Sequence, residues 1–377
     1  MTRLADRSFE IVLRNRVHFG VGAIERLPEV VAAVGGSRVF VVTDPGVRGS
    51  GVIDRVLGVL AAAGLETGVF AEVEPNPGAS TVERGAAALR EFGLDGTVVV
   101  PVGGGSSMDT AKALDLRAMN DVPVWELEYD GPGLTPGRPV VAVPTTAGTG
   151  AETNSFGVIT DEAAGRKGYI GHPSLLPVAT ILDPSLTVGL PPAATAATGI
   201  DAMTHSLESL LSANPNPFAE AIALGVIRTV GEWLRRAVAD GSDLEARAQM
   251  LVASHLAGVG QASGTGVGLV HALGHALGTR GRMPHGTALA VILPEVLDFY
   301  SGVRDRELAL VGVALGVASA TEADATAAGA CVPTIPSSRL LRARRARESG
   351  PVCADGGATW RHLSRLHARF LRRPSPL

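Results

Sequence analysis

The stretch T-V-V-V-P-V-G-G-G-S-S-M-D-T-A-K, from Thr97 to Lys112, runs a β-branched apolar strand into three glycines and then into a helical pattern. An apolar run of this kind, ended by glycine, reads as a strand buried on both faces. Gly103, Gly104 and Gly105 let backbone N–H groups approach an anion closely, and the helix that follows presents its positive end there. Ser106, with Asp109 three residues on, resembles a capping box. The spacing is not G-x-G-x-x-G. A tight strand–helix turn would use the same glycines, but the strand before and the helix after favour a pyrophosphate cradle.

Working outward, the first half of the chain alternates strands and helices. Phe9–Leu13, Arg38–Thr43, Val69–Val73 and Val140–Val143 read as further strands, with helical spacing over Val52–Ala63 and Val82–Phe92. Such alternation implies a parallel sheet covered on both faces. Phe156 to Ile181 reads as two or three shorter strands turning at Gly165. After Asp183-Pro184 strand signals stop, and helices are expected over about 193–212, 217–238, 244–262, 266–278 and 285–300. The expected organisation is an α/β domain over 1–185 and an all-α domain over 186–377. Within the latter, 337–377 is atypical: ten arginines, no lysine and two acids. That composition fits a poorly ordered tail or out-of-frame sequence better than a basic surface arm.

Composition narrows the class. The chain has 377 residues, 46% of them hydrophobic, and a net charge of −4. No single-sign block precedes residue 338, so neither nucleic acid nor an anionic membrane is an expected partner. No apolar run is long enough to span a bilayer and no secretory leader is evident, so a cytoplasmic protein is expected. Two cysteines, Cys331 and Cys353, cannot build a thiolate metal site. Of 33 basic residues only Lys112 and Lys167 are lysines. Both fall in polar, glycine-flanked segments. A compact ammonium is not interchangeable with a guanidinium, so both are candidate functional residues.

Five of the nine histidines lie between residues 205 and 285. Asp201 and His205 are four apart, as are His271 and His275, so each pair shares a helical face. His285 follows a Gly/Pro break and opens another helix. One carboxylate and several imidazoles on three helices suit Fe²⁺, Zn²⁺ or a similar ion. His255 has no partner at such a spacing and reads as structural. At the other strand ends, Asp44 in T-D-P-G could bind a ribose diol and repel a 2′-phosphate. Asn76 lies in P-N-P-G, and P-T-T-A-G-T-G offers Thr145, Thr146 and Thr149 to ribose, phosphate or carboxamide. Lys167, in G-R-K-G, could reach a ligand from a hairpin. A phosphate cradle and a metal together suggest a dehydrogenase, or a lyase that uses NAD transiently.

Taken in order, G-G-G-S-S-M-D-T-A-K, P-T-T-A-G-T-G-A-E, V-I-T-D, G-I-D-A-M-T-H-S-L-E and H-A-L-G-H-A-L-G…P-H-G resemble the iron-containing (group III) alcohol dehydrogenases over about residues 8–316. The resemblance implies a dehydroquinate synthase-like fold, with a Rossmann-like α/β N-terminal domain and an all-α C-terminal domain. It implies metal ligands Asp201, His205, His271 and His285, with Fe²⁺ as the ion and Zn²⁺ as the alternative. It leaves His275 beside the substrate as a proton relay, with Lys167 near substrate and cofactor. For NAD it implies Gly104, Gly105 and Ser106 at the pyrophosphate, Thr145, Thr146 and Thr149 on the nicotinamide side, and Asp44, Asn76, Asp109 and Lys167 as further cofactor-binding residues. The expected reaction interconverts a small primary alcohol or diol and its aldehyde, in a homodimer or higher homo-oligomer. The alternatives are a maleylacetate reductase-like enzyme, a dehydroquinate synthase-like lyase, and a fold relative left inactive by its altered C-terminus.

Overall fold

The structure, a computed structural model, describes residues 11, 13, 15–129, 131, 133–214, 216–281 and 283–318. The arginine-rich tail and most of the expected strand Phe9–Leu13 lie outside the described residues. By contact the chain divides into two units. One holds Val12–Leu190 together with Gly241–Val259; the other holds Pro191–Asp240 and the residues from Gly260 on.

The first unit is built on a six-stranded sheet of order β1-β8-β5-β4-β2-β3, and every adjacent pair is parallel. Its strands are β1 (Arg16–Phe19), β2 (Arg38–Val42), β3 (Glu66–Phe70), β4 (Thr97–Gly103), β5 (Val141–Pro144) and β8 (Ala179–Leu182). The period of two sorts their side chains. Val39, Val41, Val98, Val100, Val141 and Val143 face α1 (Leu27–Ala33) and α3 (Val52–Ala62). Phe40, Val42, Val99 and Val140 face α4 (Ala79–Phe92) and α5 (Gly105–Met119). All seven residues of β4 are buried, as expected for a central strand with both faces covered. The first described strand, R-V-H-F, is instead an edge strand with Val17 and Phe19 exposed. Its weak apolar signal follows from that position.

A two-stranded antiparallel hairpin, β6 (Phe156–Asp161) and β7 (Arg166–Gly171), turns at Gly165 and packs on α5. With the hairpin on one side and the sheet and α4 on the others, α5 has no solvent face. Ser107, Thr110, Lys112 and Asp115 are fully buried along it. A short helix, α2 (Pro45–Gly49), follows β2 directly.

The second unit is helical: α6 (Pro192–Leu211), α7 (Pro217–Ala239), α9 (Leu269–Gly281), α10 (His285–Tyr300) and α11 (Asp305–Ala314). On α7, Ala219, Ala223, Val226, Ile227, Val230, Leu234 and Ala237 form one buried stripe at helical spacing. On α6 almost every residue from Gly199 to Leu211 is buried, so it is the core helix. Helix α8 (Leu244–Gly260) lies between α7 and α9 in sequence, but through Val259 it packs in the first unit. Among the described residues no helix is long and apolar enough to cross a membrane.

Candidate active site

Asp201 stands one turn before His205 and two turns before Glu208 on the buried helix α6, so all three share a face. Helix α9 brings His271 and His275, and His285 is the first residue of α10. Close approach of α10 to α6 depends on Gly286, where a Cβ would collide with the Ala197 backbone. Around Asp201 Oδ1 lie His271 Nε2 at 3.4 Å, His285 Nε2 at 3.6 Å and His205 Nδ1 at 3.6 Å. One donor atom each from Asp201, His271 and His285 fall within 4.8 Å of one another. The His205 ring stacks on His271 with centroids 4.5 Å apart.

Three of these inward-facing atoms, Asp201 Oδ1, His205 Nδ1 and His271 Nε2, are buried without a hydrogen bond. Buried polar atoms are ordinarily satisfied. The Asp201 oxygen and the donor nitrogens of His271 and His285 lie close enough together to hold a divalent metal, and the mixed O/N donors suit Fe²⁺ or Zn²⁺; His205 Nδ1 approaches Asp201 but lies outside that compact set. His275 sits at the side of this group, half-buried, its ring 5.1 Å from His285 and 5.9 Å from His271.

Glu208 was not singled out in the sequence. Its Oε2 accepts from His271 Nδ1 at 2.5 Å and from Gly268 N at 2.9 Å; its Oε1 accepts from Val270 N at 2.5 Å and His271 N at 3.3 Å. The carboxylate therefore caps the N-terminus of α9 and holds a proton on His271 Nδ1, so that in the neutral tautomer the Nε2 lone pair is directed at Asp201 and would be available to a metal. The signal available in sequence was its position seven residues after Asp201, on the same face of an apolar helix.

The charges are tightly coupled. Burial opposes ionisation of Asp201, yet His205, His285 and His271 hold its carboxyl well below the usual range. Burial lowers His205 to about 4, against the pull of Asp201. Burial also disfavours the charged form of His271, but Asp201 and Glu208 outweigh it and raise the imidazole to about 9, so a metal at Nε2 would have to displace a proton from that nitrogen.

The first unit gathers the other predicted residues. Gly104 is extended and precedes α5, which starts at Gly105 with no side-chain cap. Ser106 therefore falls inside the first turn, not at the capping position its spacing to Asp109 suggested. Thr146 touches Gly104 and Thr149 touches Gly105 so closely that a Cβ at either glycine would crowd the threonine. Thr145 N bonds Gly103 O at 2.9 Å. Asp44 caps α2 through Val47 N at 3.0 Å and accepts from Ser107 Oγ at 3.2 Å, which sets its carboxylate beside the glycine turn. Lys167 Nζ donates to Asn76 Oδ1 at 2.7 Å. Asn76 is the one non-glycine described residue with positive φ, at 54°, and Thr160 Oγ1 holds its carbonyl. Burial lowers the pKa of Lys167, opposed by Asp109.

Lys112 is placed differently. It is fully buried, and Nζ donates to Ala151 O at 2.5 Å, Asn154 Oδ1 at 2.7 Å and Phe156 O at 3.1 Å. Its three protons are spent on protein acceptors, so it holds a loop and does not face a ligand.

Known proteins match over both units. The sequence profile of iron-containing alcohol dehydrogenases matches residues 14–184, and that of the C-terminal part of the same family matches residues 195–336. The choline dehydrogenase of Bacillus subtilis (strain 168) is 39% identical over 304 residues, which span 80% of this chain and 75% of the relative. The crystal structure of a 1,3-propanediol oxidoreductase superposes with a TM-score of 0.80 at 34% identity, covering 96% of this chain and 94% of that one. A sulfoacetaldehyde reductase from Bifidobacterium kashiwanohense, solved in complex with NAD+, gives a TM-score of 0.74 at 25% identity over 91% and 100% of the two chains. The glycine turn lies in the segment matched by the first profile and the imidazole cluster in that matched by the second, and the chain belongs to the iron-containing alcohol dehydrogenase family.

Proposed function

We propose that this chain is an NAD-dependent alcohol dehydrogenase that transfers a hydride between the carbinol carbon of a small primary alcohol or diol and nicotinamide. The observation that carries the reading is the unsatisfied Asp201 oxygen with three imidazole nitrogens 3.4–3.6 Å from it. Asp201, His205, His271 and His285 would hold the metal, with Fe²⁺ as the expected ion. When bound, the ion supplies Lewis-acid polarisation of the substrate oxygen. The chain's residues do the rest. Glu208 fixes the His271 tautomer. The backbone amides at Gly104, Gly105 and Ser106 cradle pyrophosphate at the start of α5. Asp44 binds ribose hydroxyls and disfavours a 2′-phosphate. Thr145, Thr146 and Thr149 line the nicotinamide side, with Asn76, Asp109 and Lys167 around the cofactor. Half-buried at the edge of the cluster, His275 takes the hydroxyl proton and passes it to solvent. A small alcohol or diol is favoured by the likeness to the 1,3-propanediol oxidoreductase. We further expect a cytoplasmic homodimer or higher homo-oligomer.

The test is metal content of anaerobically purified protein, together with NAD reduction by a panel of short alcohols and diols with added Fe²⁺ or Zn²⁺. His271→Ala is expected to abolish both metal retention and turnover while leaving NAD+ affinity within about threefold, since the cradle shares no residue with the cluster. Unchanged metal content in that variant would remove the ligand assignment.

A further inference from the structure

The segment Gly150–Thr153, just after the threonines that touch the glycine turn, is held at every residue. At Gly150, φ is 58°, and a Cβ would lie 2.8 Å from Gly258 Cα and 3.2 Å from Ser254 O on α8. At Gly258 a Cβ would lie 2.8 Å from Gly150 O and would also strike Thr153 Oγ1. The two backbones meet glycine to glycine, with no side chain between them. Ala151 O accepts from Lys112 Nζ, and Glu152 O from Asn15 Nδ2 at 3.1 Å. The Glu152 carboxylate accepts from His255 Nδ1 of α8 at 3.1 Å, and both side chains are buried. Thr153 Oγ1 donates back to Gly150 O at 2.7 Å.

We propose that His255, with Gly258 one turn on, is a positioning residue for the dinucleotide: α8 fixes Gly150–Thr153 and thereby sets Thr146 and Thr149 against the Gly104–Gly105 turn. This rests on the NAD reading above. A Thr/Gly loop of this composition is otherwise mobile, and a ligand that had to order it would lose affinity to that ordering. Only one residue separates Thr149 from Ala151, so a shift of the tethered segment reaches the cradle directly. His255 neither lies in the glycine turn nor belongs to the imidazole cluster, so its effect is confined to the nucleotide. Without it, Glu152 is a buried carboxylate missing its imidazole donor, and the segment moves to hydrate it.

The experiment is calorimetric titration of NAD+ into metal-free full-length protein, with Zn²⁺ affinity measured on the same preparations. His255→Leu keeps the volume but removes the donor, and NAD+ affinity is expected to fall about tenfold with Zn²⁺ affinity unchanged. His255→Asn restores an N–H donor, and affinity is expected to return to within about threefold of wild type. Gly258→Ala keeps the imidazole but pushes α8 off Gly150 and Thr153, and it predicts the same selective loss should the leucine variant not fold. Wild-type NAD+ affinity in both His255→Leu and Gly258→Ala overturns the proposal. Parallel loss of NAD+ and Zn²⁺ affinity overturns it too, because that is general loosening. A wild-type chain that binds Zn²⁺ but not NAD+ sinks the cofactor reading, and this inference with it.

Discussion

Glu208→Gln tests how the cluster is held. The carboxylate accepts four hydrogen bonds, two at each oxygen. An amide of the same shape has one acceptor end. If its oxygen faces Val270 N and His271 N, its NH₂ meets the N–H of Gly268 and the Nδ1–H of His271. Two bonds to an ionised acceptor are then lost, each worth about 1.5–3 kcal/mol, and part is regained by relaxation. The expected loss of folding stability is about 2–4 kcal/mol. The local consequence is larger than the global one. His271 is relieved of its Nδ1 acceptor and can carry its proton on Nε2, which then points at Asp201 Oδ1 where the proposed ion would bind. Outer-sphere carboxylates of this kind typically contribute about 10–100-fold to metal affinity. The assay is competition for Zn²⁺ against a chromogenic chelator, on folded metal-free protein, with urea denaturation alongside. Metal affinity within twofold of wild type in a folded Glu208→Gln protein would refute the argument, since it would show that His271 holds its tautomer unaided.

Two further outcomes follow from the first unit. Asp115 is fully buried; one oxygen accepts from Arg138 N at 2.8 Å and the other has no partner, so burial pushes its carboxyl up to about 8. A raised folded-state pKa contributes stability that is complete below the unfolded value of 3.8 and is lost as pH rises through about 8. Urea midpoints of wild type relative to Asp115→Asn should therefore fall from pH 5 to about pH 8 and level off above it; a flat difference across that range would mean the carboxyl is not held neutral. Asp44→Ser keeps a capping oxygen for α2 but removes the charge beside the glycine turn. NADP+ affinity relative to NAD+ should rise about tenfold by equilibrium titration, and an unchanged ratio would separate Asp44 from the ribose.

Much of this was legible because the signals were local. The run from Thr97 to Lys112 announces a strand, a glycine turn and a helix, and all three are present. The four-residue spacings on α6 and α9 place paired side chains on one face whatever the tertiary structure does. What was missed depends on partners far away in sequence. Glu208 reads as a polar residue inside a helix until α9 begins on it, 60 residues later. Lys112 reads as a ligand-facing ammonium, because nothing local reveals its carbonyl acceptors 39 and 44 residues on. His255 lacks a metal-ligand spacing, and its partner Glu152 lies 103 residues back. The periodicity of α8 predicts a helix but carries no information on which unit that helix packs in.

That helix also bears on how the chain is made. A ribosome releases Leu190 well before Val259, and only then is the set of contacts around Gly150–Thr153 complete. At ~5–20 residues per second the intervening stretch takes on the order of 3–14 s to synthesise. Throughout that interval Glu152 has no imidazole to pair with, and the groove for Gly258 stands open to water. The nascent α/β unit therefore waits, incomplete, for a helix encoded after α6 and α7.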